Sequence, residues 1–234
     1  VLAALNARRD PVIGVATGSS PSPLYDALSA SGADFTRADL RGVTIVGANF
    51  TGAVFDNANL AGVTAQGAIF GNATLNNATL TDGELVGVNF RGAELAGARL
   101  RGSELFGADF SRAVAPRADF RDTQLTAANF RSGDFRNASF QDANLSAAQL
   151  GDGDFAGADF SGAVLSRADI RGSDLSRVRN LTQGQVNDAC ADASTRLPSR
   201  LSNAGGCSGP RRHVRMTVPP RPPVAPRPPV TPRH

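Results

Sequence analysis

Every fifth residue from Phe35 to Leu175 is Phe, Leu or Ile, with Ala65 and Ala115 as the exceptions. The register runs through twenty-nine units without an inserted or deleted residue. Two places before nearly every centre stands a small residue, as at Ala33, Ala38, Ala48 and onward to Ala168 and Ser173. Between the two sits mostly Asp, Asn, Thr, Glu or Gln. A period of five matches neither strand alternation nor the helical turn, so it is the period of a repeat architecture. A small and a large residue two apart share one face of an extended segment. The three-residue step to the next pair demands a turn, and turn chemistry stands there. Two after the centre are thirteen Gly, together with Asn57, Asn72, Asn77 and Asn137, residues that accept positive φ or bond their own backbone. Each unit is one short side of a polygonal coil.

The phenylalanines predict how many sides the coil has. Sorted by a twenty-residue period, one column of centres reads Phe50, Phe70, Phe90, Phe110, Phe130, Leu150, Ile170. Another reads Ile45, Ala65, Leu85, Leu105, Leu125, Leu145, Leu165 and holds no Phe. The other two are mixed, with Phe35, Phe55, Phe135 and Phe155 in one and Phe120, Phe140 and Phe160 in the other. Rings recurring every twenty residues are what stacking one turn apart in a four-sided coil produces.

These units, A-(D/N)-L-x-x and A-(D/N)-F-x-x, resemble the pentapeptide repeat family over residues 35–175. The resemblance implies an all-β solenoid: a right-handed quadrilateral β-helix of about seven coils, roughly 35 Å long at ~4.8 Å per coil. Such coils stand only as arrays, since one coil buries too few large side chains to offset the entropy of its ordering.

Four segments follow. Residues 1–30 precede the register and are expected to cap the first coil, with a short helix over Leu24–Ala30. Residues 31–179 are the β-helix. In 180–209 the register fails at Asn180, and Thr182-Gln183-Gly184-Gln185 is a T-x-x-Q capping box that predicts a short helix to about Ala189, placed to cover the last coil. The stretch Leu181–Pro198 also resembles a C-terminal segment of some proteobacterial pentapeptide repeat proteins. Residues 210–234 form a basic tail whose last seventeen residues hold eight Pro and three Arg. That composition favours a solvated, disordered polyproline II tail, with P-x-x-P spacings of the kind SH3 domains bind.

Charge is divided along the chain. Residues 31–175 carry twelve Arg and seventeen acids, whereas residues 193–234 carry eight Arg and no acid. There is no Lys. No apolar run reaches the ~18 residues of a membrane-spanning helix. The chain begins at Val1 rather than Met, so the want of a targeting segment carries no weight.

No catalytic constellation is present. His213 and His234 both fall in the tail, and no P-loop, G-x-S-x-G or metal-spaced His/Cys cluster occurs. Asp152 and Asp154 in GDGDF fall on repeat positions that take polar residues anyway, and the sequons at Asn49 and Asn77 are likewise products of the repeat. The sequence therefore predicts no enzyme, cofactor, metal or small-molecule substrate. Cys190 and Cys207 are the only cysteines. They either form a disulfide closing the post-repeat segment, as in an oxidising periplasm, or remain thiols in a cytoplasm, and the compartment stays open. Phe106 is the one Phe off register; beside Arg101 and near Arg121, it makes a candidate contact surface.

The function expected is a rigid scaffold that binds a protein partner the sequence does not identify. Well-understood members of the family resemble DNA and bind type II topoisomerases such as gyrase, and those members dimerise through an apolar C-terminal element. Here a rod with seventeen acids and twelve Arg falls far short of the ~20 charges that ~35 Å of duplex carries. The other alternative is the tail, which would hold nucleic acid or an anionic membrane surface only electrostatically, because aromatics are absent after Phe160.

Overall fold

The computed structural model describes residues 31–203. Parallel bridges join residues twenty apart without interruption, from Asp34 with Val54 to Asp159 with Arg179. The coil is therefore four-sided, as the Phe columns predict. Each side contributes one bridging residue, the one before the centre, so the walls are stacks of isolated bridges and no extended strand forms.

One unit shows how the backbone is satisfied. The Val54 amide donates back to the Ala33 carbonyl at 2.8 Å, and the Phe55 amide donates forward to Thr74 at 2.6 Å. The Asn57 amide reaches Asn76 at 2.9 Å, and the Ala58 amide closes the turn on the Phe55 carbonyl at 2.9 Å. Ala53 and Phe55 are both fully buried. The inward pair two residues apart is thus what the pattern predicts.

The turn has its own demand. φ is positive at every fifth residue from Gly32 to Gly172, but not at the residue before it, which makes these type II turns. Glycine fills fourteen of these positions; Arg112, Arg117, Asp122, Ala127, Ser132 and Ala147 are among the others. Neither Arg nor Ala prefers a left-handed conformation, so the coil imposes it against local propensity. Ala127→Gly and Ala147→Gly are each expected to raise stability by about 0.5–1 kcal/mol. Chemical denaturation of the single variants measures the gain.

The core is four columns of side chains. In the Phe50 column, consecutive rings from Phe50 to Phe130 stack with centroids 5.0–5.3 Å apart and interplanar angles of 7–23°. Phe120, Phe140 and Phe160 stack likewise, at 5.0 and 5.2 Å. Adjacent columns meet edge-on, as where Phe110 and Phe120 lie 5.4 Å apart at 90°. Where Ser or Thr replaces the small Ala, its hydroxyl finds a carbonyl: Ser103 donates to Leu80 at 2.6 Å and Thr123 to Phe120 at 2.6 Å.

After residue 179 the geometry changes. Helix α1 (Gln183–Asp188) opens on the N-cap Thr182, whose side chain accepts the Gln185 amide while the Gln185 side chain accepts the Thr182 amide. This is the capping box legible in the sequence. Gln185 Nε2 also donates to the Phe160 and Ala163 carbonyls, each at 2.8 Å, and Val186 is buried. The helix thus sits where the Ile45 column would continue. Beyond it the bridges resume out of period, joining Asp169 to Cys190 and Asp174 to Arg196. The helix expected over Leu24–Ala30, the cap expected of residues 1–30 and the tail expected from residue 210 lie outside the described residues. Among those described, no helix is long and apolar enough to cross a membrane.

Candidate interaction surface

Three positions of each unit face outward: the residue before the centre and the two after it. Before the centre, Asp or Asn accepts the backbone amide two residues on. Asn49 takes the Thr51 amide at 3.0 Å, Asp109 the Ser111 amide at 2.9 Å and Asp154 the Ala156 amide at 3.0 Å. This is the physical reason for the D/N of the repeat: the side chain satisfies a turn amide that the bridges leave open.

Where Arg follows the centre, the same Asp binds its guanidinium as well. Arg121 donates from Nε and Nη2 to the two oxygens of Asp119 at 2.8 and 2.7 Å. Arg171 does the same to Asp169 at 2.7 and 2.6 Å, and Arg136 to Asp134 at 2.9 and 2.6 Å. Arg41 and Asp39 make a fourth such fork, at 2.8 and 2.6 Å. Sequence reasoning weighed these acids and arginines as separate charges; the signal that joins them is Asp-x-Arg across a centre. The bonds from Arg136 and Arg171 hold the Asp134 and Asp169 carboxyls below the usual carboxylate value. Burial pushes Asp119 up, but its bonds from Arg121 outweigh this and lower it too.

These carboxyls titrate lower in the folded chain than in the unfolded one. Their stabilisation is complete above the unfolded carboxylate value of about 4 and is lost as pH falls through the folded value. The melting temperature is therefore expected to fall below about pH 4, the fall being shallower in Asp169→Asn than in the parent chain. An unchanged slope would show that the fork adds nothing to stability.

The structure places Phe106, Arg101 and Arg121 on two different corners. Arg101 and Arg121 follow consecutive centres of the Leu40 column and stack one coil apart. Arg101 Nε is 2.8 Å from Asp122, while Arg121 is held in its fork. Phe106 follows a centre of the Ile45 column, one side further round the coil, and is 38% exposed. It belongs to none of the ring pairs among the described residues. Its neighbours there escaped sequence reasoning, because only the centres were sorted by period. The same sorting applied one residue later puts Val46, Val86 and Phe106 on one corner, and these are three of the five exposed large hydrophobic residues. No Asp, Glu or Arg occupies that corner from Val46 to Ala147.

Much of the polar chemistry elsewhere is engaged within the rod. A shallow hollow of about 360 Å³ on the Leu40 side is lined by Arg117, Asp119, Arg121, Gln141, Asp159 and Arg179, among others. Arg179 Nε donates to the Gly157 carbonyl at 3.0 Å, and Asp159 accepts from Asn180, the Ser161 amide and Gln141. Asp152 faces Arg131 at 3.4 Å. No group of three or more acidic, His or Cys side chains among the described residues is placed to hold a metal ion. Cys190 bridges Asp169 at the end of the coil and is not a free thiol. Cys207, His213 and His234 lie outside the described residues.

A family model described as pentapeptide repeats matches in eight copies, across residues 33–72, 68–105, 84–120, 103–142 and 143–179. No match was found among curated proteins. Solved structures include HetL, a pentapeptide repeat protein involved in heterocyst differentiation regulation in the cyanobacterium Nostoc. It is 28% identical, with 70% of this chain and 85% of that one covered, at a TM-score of 0.38. QnrB1, a plasmid-mediated fluoroquinolone resistance protein, is 22% identical over 71% of this chain and 90% of its own, at 0.42. A thylakoid-lumen protein of Arabidopsis thaliana is 27% identical over 56% and 79%, at 0.31. With TM-scores this low, the architecture stands on the family match and the twenty-residue bridging period.

Proposed function

The chain belongs to the pentapeptide repeat family, and from that premise we propose that it is a non-enzymatic scaffold that binds a protein partner through its uncharged corner. The observation that supports this is the contrast between that corner and the rest of the rod. Elsewhere many of the outward Asp, Asn and Arg side chains cap turn amides or pair with each other. Val46, Val86 and Phe106 are exposed to water on a rigid support, and burying them against a partner costs little order. Aromatic anchors on fixed backbone are typical of the residues that dominate binding energy.

The forks weigh against a DNA-mimicking role. Each one neutralises a carboxylate at the surface, leaving less free negative charge than the count of acids suggests. A supercoiling assay with purified gyrase at micromolar protein separates the two readings, since inhibition or protection would favour the topoisomerase. For the scaffold, the test is Val86→Arg with Phe106→Arg. The double variant is expected to keep its melting temperature within a few degrees, because both side chains are exposed. It is also expected to lose a partner that the parent chain captures stoichiometrically. Equal capture by the two would overturn the assignment of the corner.

A further inference from the structure

Four bridging residues on the Leu40 side, Asp119, Ser139, Asp159 and Arg179, follow one another coil by coil at ~4.8 Å steps. Ser139 is the shortest of them, and the surface dips there into the hollow of about 360 Å³. One wall is the corner that carries Arg117 and Asn137; the other is the corner that carries Arg121 and Gln141. Among the residues that line it, Ala118 alone is apolar.

The carboxylates here are satisfied, while donors are in surplus. Asp119 takes three bonds from Arg121: from its amide, its Nε and its Nη2. Asp159 also takes three, from Asn180, the Ser161 amide and Gln141. The Arg117 side chain, by contrast, makes no hydrogen bond or ion pair among the described residues, and neither does the Ser139 hydroxyl. Arg179 commits only Nε, to the Gly157 carbonyl at 3.0 Å, which leaves the donors of both Nη groups. That bond draws its guanidinium back by one coil. Gly157 stands on the corner of Arg117 and Asn137, two coils beyond Arg117. The two guanidinium groups therefore bracket the level of Ser139. With Arg121 they set three positive charges against two carboxylates.

We propose that this hollow binds a phosphate group carried by a small polar molecule. The unused groups are donors, so the ligand must bring acceptors. The three terminal oxygens of a phosphate monoester serve Arg117, Arg179 and Ser139 together, whereas a carboxylate has only two, and a double negative charge suits two guanidinium groups. The volume lies at the low end of small-molecule sites and exceeds what a phosphate alone fills. The rest of the ligand is polar, because the lining offers no aromatic ring for a base to stack on. Asn137 and Gln141 bring amide groups for its hydroxyls. A phosphorylated sugar or polyol meets all of these demands. The site needs neither the uncharged corner nor a partner protein.

The test is a heteronuclear NMR titration of the full chain with glucose 6-phosphate, inorganic phosphate and glucose in separate arms. Glucose 6-phosphate is expected to shift the Nε–H signals of Arg117 and Arg179 and the Ser139 amide, saturating with a Kd of about 1 mM or tighter. Glucose at the same concentrations should leave them in place. Arg117→Gln should weaken binding about tenfold or more while keeping the melting temperature, since the side chain is exposed. Arg91→Gln, which removes an exposed Arg from a different corner, should bind as the parent chain does. Inorganic phosphate binding as tightly as the ester would support the anion site and make free phosphate its source. Absence of saturation by about 10 mM of either phosphate, equal shifts with glucose, or equal affinities of Arg117→Gln and Arg91→Gln would each overturn the proposal.

Discussion

Phe90→Ala is expected to lower the stability of the rod by about 3–5 kcal/mol, as for a large aromatic removed from a close-packed core. The ring is fully buried between Phe70 at 5.3 Å and Phe110 at 5.0 Å. Its loss removes contacts on both sides along the column, and neighbouring coils cannot collapse into the space because their bridges fix the coil spacing. Phe90→Leu should cost far less, ~1.5 kcal/mol or under, since Leu is the ordinary centre and Leu150 continues this same column. Urea unfolding followed by circular dichroism measures both. Equal losses would mean that the stacked ring, and not the volume a Leu also fills, carries the stability of this column.

The second large effect comes from two adjacent residues. Leu105→Arg is expected to abolish cooperative folding, whereas Phe106→Arg should change stability by less than about 1 kcal/mol. Leu105 is fully buried among apolar neighbours, and Phe106 stands on the corner beside it. A guanidinium at 105 would find no carboxylate inside the rod and could not shed its proton, so several kcal/mol of desolvation would go uncompensated. Thermal unfolding of the two variants side by side decides it. If Leu105→Arg still melts cooperatively within a few degrees of the parent chain, the inward assignment of the Ile45 column is wrong.

Much of this architecture was legible because a five-residue period admits few solutions. The bridging partner of each residue was implied by the Phe columns before any backbone was seen, and Thr182 with Gln185 announced α1. What the period hid was of two kinds. Local propensity argues against a left-handed Arg117 or Ala127, and only the cooperative demand of the coil puts them there. The slip to Cys190 and Arg196 depends on how a helix packs under the last coil, which no spacing in the sequence encodes. At the surface the limit was different. Asp119 and Arg121 count as opposite charges in a composition, but their binding is decided by both projecting from one side, two residues apart. Phe106 stood out alone, and its neighbours Val46 and Val86 emerge only when positions other than the centres are followed from coil to coil.

The bridging rule also bears on how such a chain reaches its fold. Most β-proteins must bring together residues far apart in sequence, and their folding slows accordingly. Here each bridge from Asp34 to Arg179 joins residues twenty apart, so every new coil closes the same short loop onto a surface already formed. The relative contact order stays low, and it falls further as coils are added. Growth from a nucleus of a few coils, spreading toward both ends as a zipper does, is the route this geometry favours.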